Sequence, residues 1–234
     1  MLRLFVPAGA RTGPRFRITG GELRHLRTLR VAPGDRFVVF DDGGEEHEVV
    51  LEALGARAAD AAILTSRRPT RDSPLDVVLA PALLKGAKMD LVIEKATELG
   101  VRRIAPVVTR HTIGRGEHVA RWRRLAVAAA KQSGRTSVPV VDTPVALAAT
   151  LAAPWPGLRL LASEEEGSRR FADLPAAARA VVLLVGPEGG FAPAEVDAAR
   201  TAGFTTVRLA GRVLRAETAA LTAVVLAQHR WGDA

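Results

Sequence analysis

The stretch Val181-Val182-Leu183-Leu184-Val185-Gly186-Pro187-Glu188-Gly189-Gly190-Phe191 says most about how this chain folds. Its first five residues are all aliphatic, which is typical of a strand buried on both faces of a parallel sheet. Gly186 ends that run, and three glycines and a proline within five residues cannot continue as a helix or a strand. We therefore predict a buried strand followed by a tight loop whose main chain approaches a ligand closely.

Strand and helix patterns alternate around this stretch from residue 74 to the end of the chain. The predicted strands span 75–80, 104–108, 138–141, 159–162, 181–185 and 206–209. The predicted helices span 88–99, 117–132, 143–151, 193–202 and 217–229. Such alternation predicts an α/β fold with a mainly parallel sheet and helices on both faces. Ligands of such sheets bind beyond the carboxyl ends of the strands, where the loops 160–164, 185–191 and 209–219 stand out.

The first 70 residues have a different pattern. Short strands are predicted at 37–40, 48–52 and 61–64, with a hairpin signal at 41–44 and one helix at 21–29. This predicts a small β-barrel or sandwich. The Pro-containing stretch 67–74 has no apolar side chains and is typical of a linker. We therefore predict two domains, residues 1–72 and 73–234.

Composition limits the function classes. The 234 residues are 48% hydrophobic, which excludes a disordered chain. Cysteine is absent, so disulfides, thiolate metal sites and cysteine nucleophiles are excluded. No apolar run reaches the roughly 20 residues of a membrane span, and a soluble cytoplasmic protein is expected.

The net charge of +8 is unevenly distributed. Residues 101–135 hold nine Lys or Arg, and Glu117 is their only acidic neighbour. This concentration predicts a polyanionic partner such as RNA. A well-solvated arginine-rich surface is the alternative.

The glycine-rich loop matches neither common nucleotide motif. No Gly-Lys-Ser/Thr follows it, its spacing is not that of a dinucleotide fingerprint, and Glu188 would repel a pyrophosphate. A nucleoside carrying a sulfonium tolerates that carboxylate better. An ordinary turn, with Glu188 capping the next helix, remains open.

Further short motifs lie along the whole chain in a fixed order. They are His25-Leu26-Arg27-Thr28-Leu29-Arg30, Lys85-Gly86-Ala87-Lys88-Met89-Asp90, Glu94-Lys95-Ala96-Thr97-Glu98-Leu99-Gly100-Val101, Lys131-Gln132-Ser133-Gly134-Arg135, Val213-Leu214-Arg215-Ala216-Glu217-Thr218-Ala219 and Trp231-Gly232-Asp233. Together with the glycine-rich loop, this series resembles the RsmE-type ribosomal RNA methyltransferases of the SPOUT class.

The resemblance implies a PUA-like RNA-binding β-barrel followed by a SPOUT domain, a parallel sheet with a trefoil knot. It implies a homodimer that uses S-adenosyl-L-methionine to methylate N3 of a uridine in small-subunit (16S) ribosomal RNA. The implied partners are ribosomal RNA or the small ribosomal subunit, with no membrane and no metal.

The resemblance also implies a cofactor pocket formed by small and apolar residues of the three loops. Its predicted residues are Leu161, Ala162, Gly186, Glu188, Gly189, Gly190, Leu209, Ala210, Val213 and Leu214. The family usually has glycine where this chain has Ala210, and an alanine there would cost about 1 kcal/mol if the position required φ > 0.

Two residues are predicted to be catalytic. Arg215 is expected to stabilise the uracil anion that forms when N3 loses its proton. Glu217 is the weaker candidate, as proton acceptor, and its alternative role is that of an acidic residue at the start of the last helix.

RNA contacts are predicted at Arg3, Arg27, Arg30, Arg110, Arg115, Arg123, Arg124, Lys131 and Arg135. Trp122 is either a base platform or part of the core. The histidines His25, His111 and His118 have no metal-ligand spacing, and we interpret them as RNA-facing or structural. The rival functions are another SPOUT methyltransferase, acting on ribose or tRNA, and an RNA-binding assembly factor with a degenerate pocket. A dehydrogenase fits the loop spacing poorly.

Overall fold

The computed structural model describes residues 1–41, 43–69, 71–113, 118–164 and 169–234. They form two compact units: residues 1–72 with 130–138, and residues 73–129 with 139–234. The assignment of separate RNA-binding and methyltransferase domains to 1–72 and 73–234 stays a prediction. Within the described residues, no helix combines the length and the hydropathy that crossing a bilayer requires.

The first unit is a six-stranded sheet with one helix. Its elements are β1 Arg3–Phe5, β2 Arg11–Thr12, β3 Arg15–Ile18, α1 Gly20–Thr28, β4 Arg36–Phe40, β5 Glu46–Leu54 and β6 Ala59–Arg67. The strand order is β1-β4-β5-β6-β3-β2, and only the β1–β4 pair is parallel.

The three strands and the helix predicted in this unit are confirmed, with longer strands than expected. Side chains from five of the strands and from α1 pack into one hydrophobic cluster, so the sheet must curl around it. Leu4, Phe16, Leu26 and Phe37 are among its fully buried members. The predicted hairpin signal at 41–44 includes Asp42, which lies outside the described residues.

Residues 130–138 belong to the first unit, where three of them contact the carboxylate of Asp72. Arg135 Nε lies 2.8 Å from Asp72 Oδ1, and the hydroxyls of Thr136 and Ser137 donate to the same carboxylate at 2.9 Å each. Burial raises the pKa of Asp72, but the Arg135 guanidinium and the two hydroxyls outweigh it and hold that pKa below its ordinary value.

The second unit alternates strands and helices. Its strands are β7 Asp76–Pro81, β8 Arg103–Ile104, β9 Val107–Val108, β10 Val140–Val141, β11 Val145–Ala146, β12 Leu158–Ala162, β13 Ala180–Val185 and β14 Thr205–Val207. Its helices are α2 Ala87–Glu98, α3 Val119–Ser133, α4 Leu147–Ala152, α5 Pro193–Thr201 and α6 Ala216–Trp231, and the last turn of α3 is counted with the first unit. Six strands pair in the order β10-β8-β7-β13-β12-β14, and every pair is parallel. The predicted parallel α/β class is therefore confirmed.

Two elements differ from the sequence prediction. The single strand predicted at 104–108 is two short strands, because Pro106 lacks an N–H and interrupts the ladder. The helix predicted at 143–151 begins only at Leu147, since the two residues of β11 pair with β9 instead. The helix predicted from Glu117 is described from Val119 onward, and Glu117 itself lies outside the described residues.

The strand β13, predicted from the opening stretch, occupies a central position in this sheet. Residues Val181 to Val185 are almost completely inaccessible to solvent, because the strand is buried on both faces. It pairs with β7 on one side and β12 on the other, so it lies between two strands that precede it in the chain. The trefoil knot stays a prediction. The strand order places the carboxyl ends of β12, β13 and β14 side by side.

Gly100 shows why the predicted stop of α2 requires glycine. Gly100 directly follows Leu99, the C-cap residue of α2, and has φ +85°. A Cβ on Gly100 would lie 2.6 Å from Nε2 of Gln228. That buried amide donates to the Leu99 carbonyl at 2.7 Å and accepts from the Ser73 hydroxyl at 2.7 Å. These bonds connect α6 with the end of α2.

Candidate active site

A cavity of about 200 Å³ opens at the carboxyl ends of β12, β13 and β14. Nine of the ten predicted cofactor residues line it: Ala162, Gly186, Glu188, Gly189, Gly190, Leu209, Ala210, Val213 and Leu214. The tenth, Leu161, is fully buried and packs in the hydrophobic cluster between the sheet and α4–α5. The structure thus brings the three loops together, while the role of each residue toward a cofactor stays a prediction.

The glycine-rich loop is a tight turn that leaves little space for side chains at two of its glycines. Gly190 has φ +67° and donates its N–H to the Pro187 carbonyl at 3.0 Å. A Cβ on Gly186 would lie 3.1 Å from the Phe191 ring, and one on Gly189 would lie 3.2 Å from His111. The main chain, rather than side chains, therefore forms this wall of the cavity.

A fourth loop, residues 109–112, holds the glycine-rich loop from outside. His111 Nδ1 donates to the carbonyls of Gly189 at 3.0 Å and Gly190 at 3.3 Å. Next to it, the N–H of Arg110 donates to Glu195 at 2.8 Å, and the same carboxylate accepts from the N–H of Ala192 at 2.9 Å. His111 is thus a structural residue of the site. Its spacing in the sequence did not indicate this, because the contact joins residues 78 apart.

Lys88 joins two carboxylates beside the cavity. Its Nζ lies 2.6 Å from Glu188 Oε1 and 3.8 Å from Glu217 Oε2. The hydrogen bond from Lys88 holds the pKa of the Glu188 carboxyl below its ordinary value, and Glu188 in turn raises the pKa of Lys88. Lys88 lies within the motif 85–90, and its local sequence pattern predicts no role for it.

The predicted catalytic residues lie at the start of α6, next to the cavity but not in its lining. Arg215 is the exposed N-cap residue, and its side chain makes no hydrogen bond or ion pair among the described residues. Glu217 lies in the first turn, where its Oε2 is buried without a hydrogen-bond partner. Its side chain is 13% exposed and lines a groove with Leu91, Leu221 and Val225.

Ala210 causes no backbone strain. Among the described residues, Arg30 is the only non-glycine residue with positive φ, so Ala210 does not need the left-handed region. The conformational cost of about 1 kcal/mol for an alanine at positive φ therefore does not apply to Ala210.

The residues predicted to contact RNA fall into two groups. Arg27, Arg30, Arg110, Arg123 and Arg124 are exposed. Arg3, Lys131 and Arg135 instead make ion pairs with Glu46, Glu22 and Asp72 at 2.6, 2.9 and 2.8 Å. Arg115 lies outside the described residues. Trp122 is buried, so of its two alternatives the structure supports the core.

Comparison with known proteins agrees with this geometry. The family described as "RNA methyltransferase domain" matches residues 71–228, and "RNA methyltransferase PUA domain" matches residues 18–64. A "Ribosomal RNA small subunit methyltransferase E" of Mycobacterium bovis is 35% identical over 94% of this chain and 89% of its own length.

Solved structures give the same result. A "Ribosomal RNA small subunit methyltransferase E" from Neisseria gonorrhoeae, crystallised with S-adenosyl methionine, superposes with a TM-score of 0.92 at 34% identity, covering 100% of this chain and 99% of the other. A "putative methyltransferase" from Legionella pneumophila, also with bound cofactor, gives a TM-score of 0.91 at 29% identity with the same coverage. This chain therefore belongs to the ribosomal RNA small subunit methyltransferase E family.

Proposed function

We propose that this chain transfers the methyl group of S-adenosyl-L-methionine to N3 of a uridine in small-subunit (16S) ribosomal RNA. The observation that carries the proposal is the cavity at three adjacent strand ends, walled by glycine main chain and apolar side chains. Backbone N–H and C=O groups would bind an adenine there, and apolar residues such as Leu209 and Leu214 would hold it. With ribosomal RNA as substrate, we infer the cytoplasm as the compartment.

The residues present fit such a cofactor. Gly186 and Gly189 have little room for a Cβ, and both line the cavity. Glu188 offers a negative charge on the cavity wall, which suits a positively charged sulfur and is tempered by Lys88. When bound, the cofactor supplies a methyl group that is already activated as a sulfonium.

The chain's own residues then have two tasks. Uracil N3 carries a proton and becomes nucleophilic only when that proton leaves. Arg215, permanently charged and free of ion-pair partners among the described residues, hydrogen-bonds the uracil carbonyl oxygens and stabilises the anion. Glu217 accepts the proton through its buried oxygen that lacks a hydrogen-bond partner.

RNA binding is proposed to use the exposed arginines. Arg123 and Arg124 lie on α3, where most contacts would go to phosphates. Arg30 follows the cap residue of α1 with φ +55°, a position where glycine is preferred. A residue kept in this unfavourable conformation is consistent with a binding role.

A homodimer is part of the proposal. The groove of Glu217 is lined by apolar side chains of α2 and α6, among which Leu91 and Val225 are 41% and 43% exposed. A second copy covering this face would bury it and bring another chain beside Glu217. We expect a dimer in light scattering and a shift toward monomer for Val225→Asp. A monomeric wild-type protein with full activity would contradict this part.

The decisive experiment maps methylation on 16S ribosomal RNA from a strain lacking this protein. We expect one uridine to lose its methyl group and to regain it when purified protein and cofactor are added. Free 16S RNA and assembled small subunits are tested in parallel to identify the substrate. A methylated ribose, or an unchanged RNA, would contradict the proposed chemistry.

Equilibrium dialysis with labelled S-adenosyl-L-methionine distinguishes the rival RNA-binding factor. The enzyme takes up one cofactor per chain, whereas a factor with a degenerate pocket takes up none. A Gly189→Val variant is the matched control, because its side chain would collide with His111 and displace the glycine-rich loop. It should bind RNA normally and lose the cofactor.

A further inference from the structure

Three potential metal ligands converge in the first unit, and none of them is a residue of the proposed active site. They are Asp41 at the end of β4, Glu45 in the following turn and His47 on β5. One oxygen or nitrogen from each lies within 4.8 Å of the others. We propose that these residues form a site for a divalent transition-metal ion, with Zn²⁺ as the best chemical match.

His47 provides the observation that points to a ligand. Its side chain is 0% exposed, and its Nε2 has no hydrogen-bond partner among the described residues. That nitrogen lies 3.8 Å from Asp41 Oδ2 and 3.8 Å from Glu45 Oε2, beyond hydrogen-bond distance. A buried ring nitrogen facing two carboxylates without a bond is costly unless a cation joins them.

The ring is fixed in the orientation that a metal requires. Its other nitrogen, Nδ1, lies 2.8 Å from the Ser66 hydroxyl, and the Phe16 ring packs at 5.0 Å between centroids. Metal-binding histidines commonly donate their second N–H to an oxygen, which sets the tautomer. With Nδ1–H donating to Ser66, the lone pair of Nε2 points toward the carboxylates.

The carboxylates are also oriented toward this nitrogen. Asp41 is almost fully buried and accepts the Gly43 N–H through Oδ1 at 2.9 Å, leaving Oδ2 for the site. Glu45 has competitors: Arg68 lies 3.3 Å from Oε1 and Arg11 3.5 Å from Oε2. Both guanidiniums are substantially exposed, so water screens their attraction.

The donor set suits zinc. One imidazole and two carboxylates supply three ligands of a tetrahedral ion and leave a fourth position for water. Bonds of about 2.1 Å place tetrahedral ligands roughly 3.4 Å apart, so the two 3.8 Å separations need only a small contraction. The family resemblance implies no metal, and residues 41, 45 and 47 match no common ligand spacing because they meet only across the β4–β5 pair.

The competing explanation is a protonated His47 that forms an ion pair with both carboxylates and binds no metal. Isothermal titration calorimetry of the chelator-treated full chain with Zn²⁺ distinguishes this explanation from a metal site. We expect one ion per chain, and a Co²⁺ absorption spectrum typical of tetrahedral coordination. His47→Gln should weaken Zn²⁺ binding at least 100-fold, while His229→Gln, at an exposed histidine of α6, should leave it unchanged.

A milder variant covers the case in which His47→Gln does not fold. Glu45→Gln removes one ligand and only screened ion pairs, so the circular dichroism spectrum should stay the same while Zn²⁺ binding weakens about tenfold. Absence of stoichiometric Zn²⁺ binding by the wild type, or equal binding by folded Glu45→Gln, would overturn the proposal. Neither result bears on methyl transfer, because the site uses no residue of the proposed active site.

Discussion

The two units of this chain use pairs of opposite charges in different ways. In the first, Glu46 is 2% exposed and is surrounded by Arg3 at 2.6 Å, Arg67 at 2.5 Å and Arg71 at 3.1 Å. In the second, the Lys88–Glu188 pair is 39% and 35% exposed at the edge of a cavity. Removing one partner of a buried pair leaves an uncompensated buried charge and is strongly destabilising, whereas half-exposed pairs at a strand end remain accessible to a ligand. The count of 33 lysines and arginines therefore overstates the positive charge that is free to meet RNA.

The largest effect we expect is on the stability of the first unit. Glu46→Ala removes the one buried carboxylate shared by three arginines. Burial raises the pKa of Glu46, but hydrogen bonds from Arg3 and Arg67 outweigh it and lower the pKa overall. We expect the free energy of unfolding to fall by about 3 kcal/mol, near the lower end for breaking a buried pair because two of the arginines are partly exposed.

Urea denaturation measures this loss, and Glu52→Ala is the matched control on the same strand. Glu52 pairs with Arg15 at 2.7 Å, but both side chains are exposed, so its removal should cost much less. Equal losses for the two variants would break the distinction between buried and exposed pairs.

The next largest effect concerns the catalytic step. Arg215→Ala should lower methyl transfer by about 10² or more while the cofactor dissociation constant changes less than threefold, because Arg215 lies outside the cavity lining. Single-turnover kinetics and equilibrium dialysis measure the two quantities. Unchanged turnover would remove Arg215 from the mechanism.

Local patterns in the sequence were sufficient to predict much of this fold. Five aliphatic residues in a row indicated β13, and Gly100 indicated the end of α2. Both signals are local, because each depends on the chain within a few residues. The loops at the strand ends followed from the same reasoning, since parallel strands bring their carboxyl ends to one edge.

Long-range pairing could not be predicted in this way. Arg3 pairs with Glu46, Arg135 with Asp72 and Lys88 with Glu188, at separations of 43, 63 and 100 residues. An arginine in a basic stretch has the same local pattern whether it faces RNA or a buried carboxylate. Only the tertiary structure distinguishes these two uses, and the family resemblance alone indicated the knot.

A third prediction uses pH to examine how Asp72 is held by residues 130–138 of the first unit. Asp72→Asn removes the carboxylate charge opposite Arg135, which is 3% exposed, and should cost about 2 kcal/mol at pH 7. The pKa of Asp72 is lowered in the folded state, so its contribution is present above its ordinary value near 3.8 and is lost as pH falls through the folded value.

The difference between wild type and Asp72→Asn should therefore be constant from pH 7 to about pH 5 and shrink below pH 4. Urea unfolding at pH 7, 5 and 3 gives the three values needed. A difference that grew on acidification would mean that the carboxylate destabilises the folded state.

A fourth, smaller effect is expected from the half-exposed pair. Lys88→Met leaves Glu188 and Glu217 without their shared ammonium, so the glycine-rich loop and the first turn of α6 lose a common support. We expect turnover to fall about tenfold and Lys88→Arg to restore most of it. Unfolding in urea should be nearly unchanged, which separates Lys88 from Glu46. A large loss of stability with normal turnover would show that the Lys88 pairs support the fold and not the active site.

The smallest effect tests which arginines are free for RNA. Arg124 is exposed and has no ion pair among the described residues, whereas Arg15, which is also exposed, is paired with Glu52. A phosphate contact releases counterions, so Arg124→Gln should reduce the salt dependence of RNA binding by about one unit of log–log slope, with an affinity loss of only a few-fold. Arg15→Gln should leave the slope as it is. If both variants reduce the slope equally, an ion pair on the surface does not prevent an arginine from binding RNA. Only pairing with a largely buried carboxylate, as at Glu46 and Asp72, would then do so.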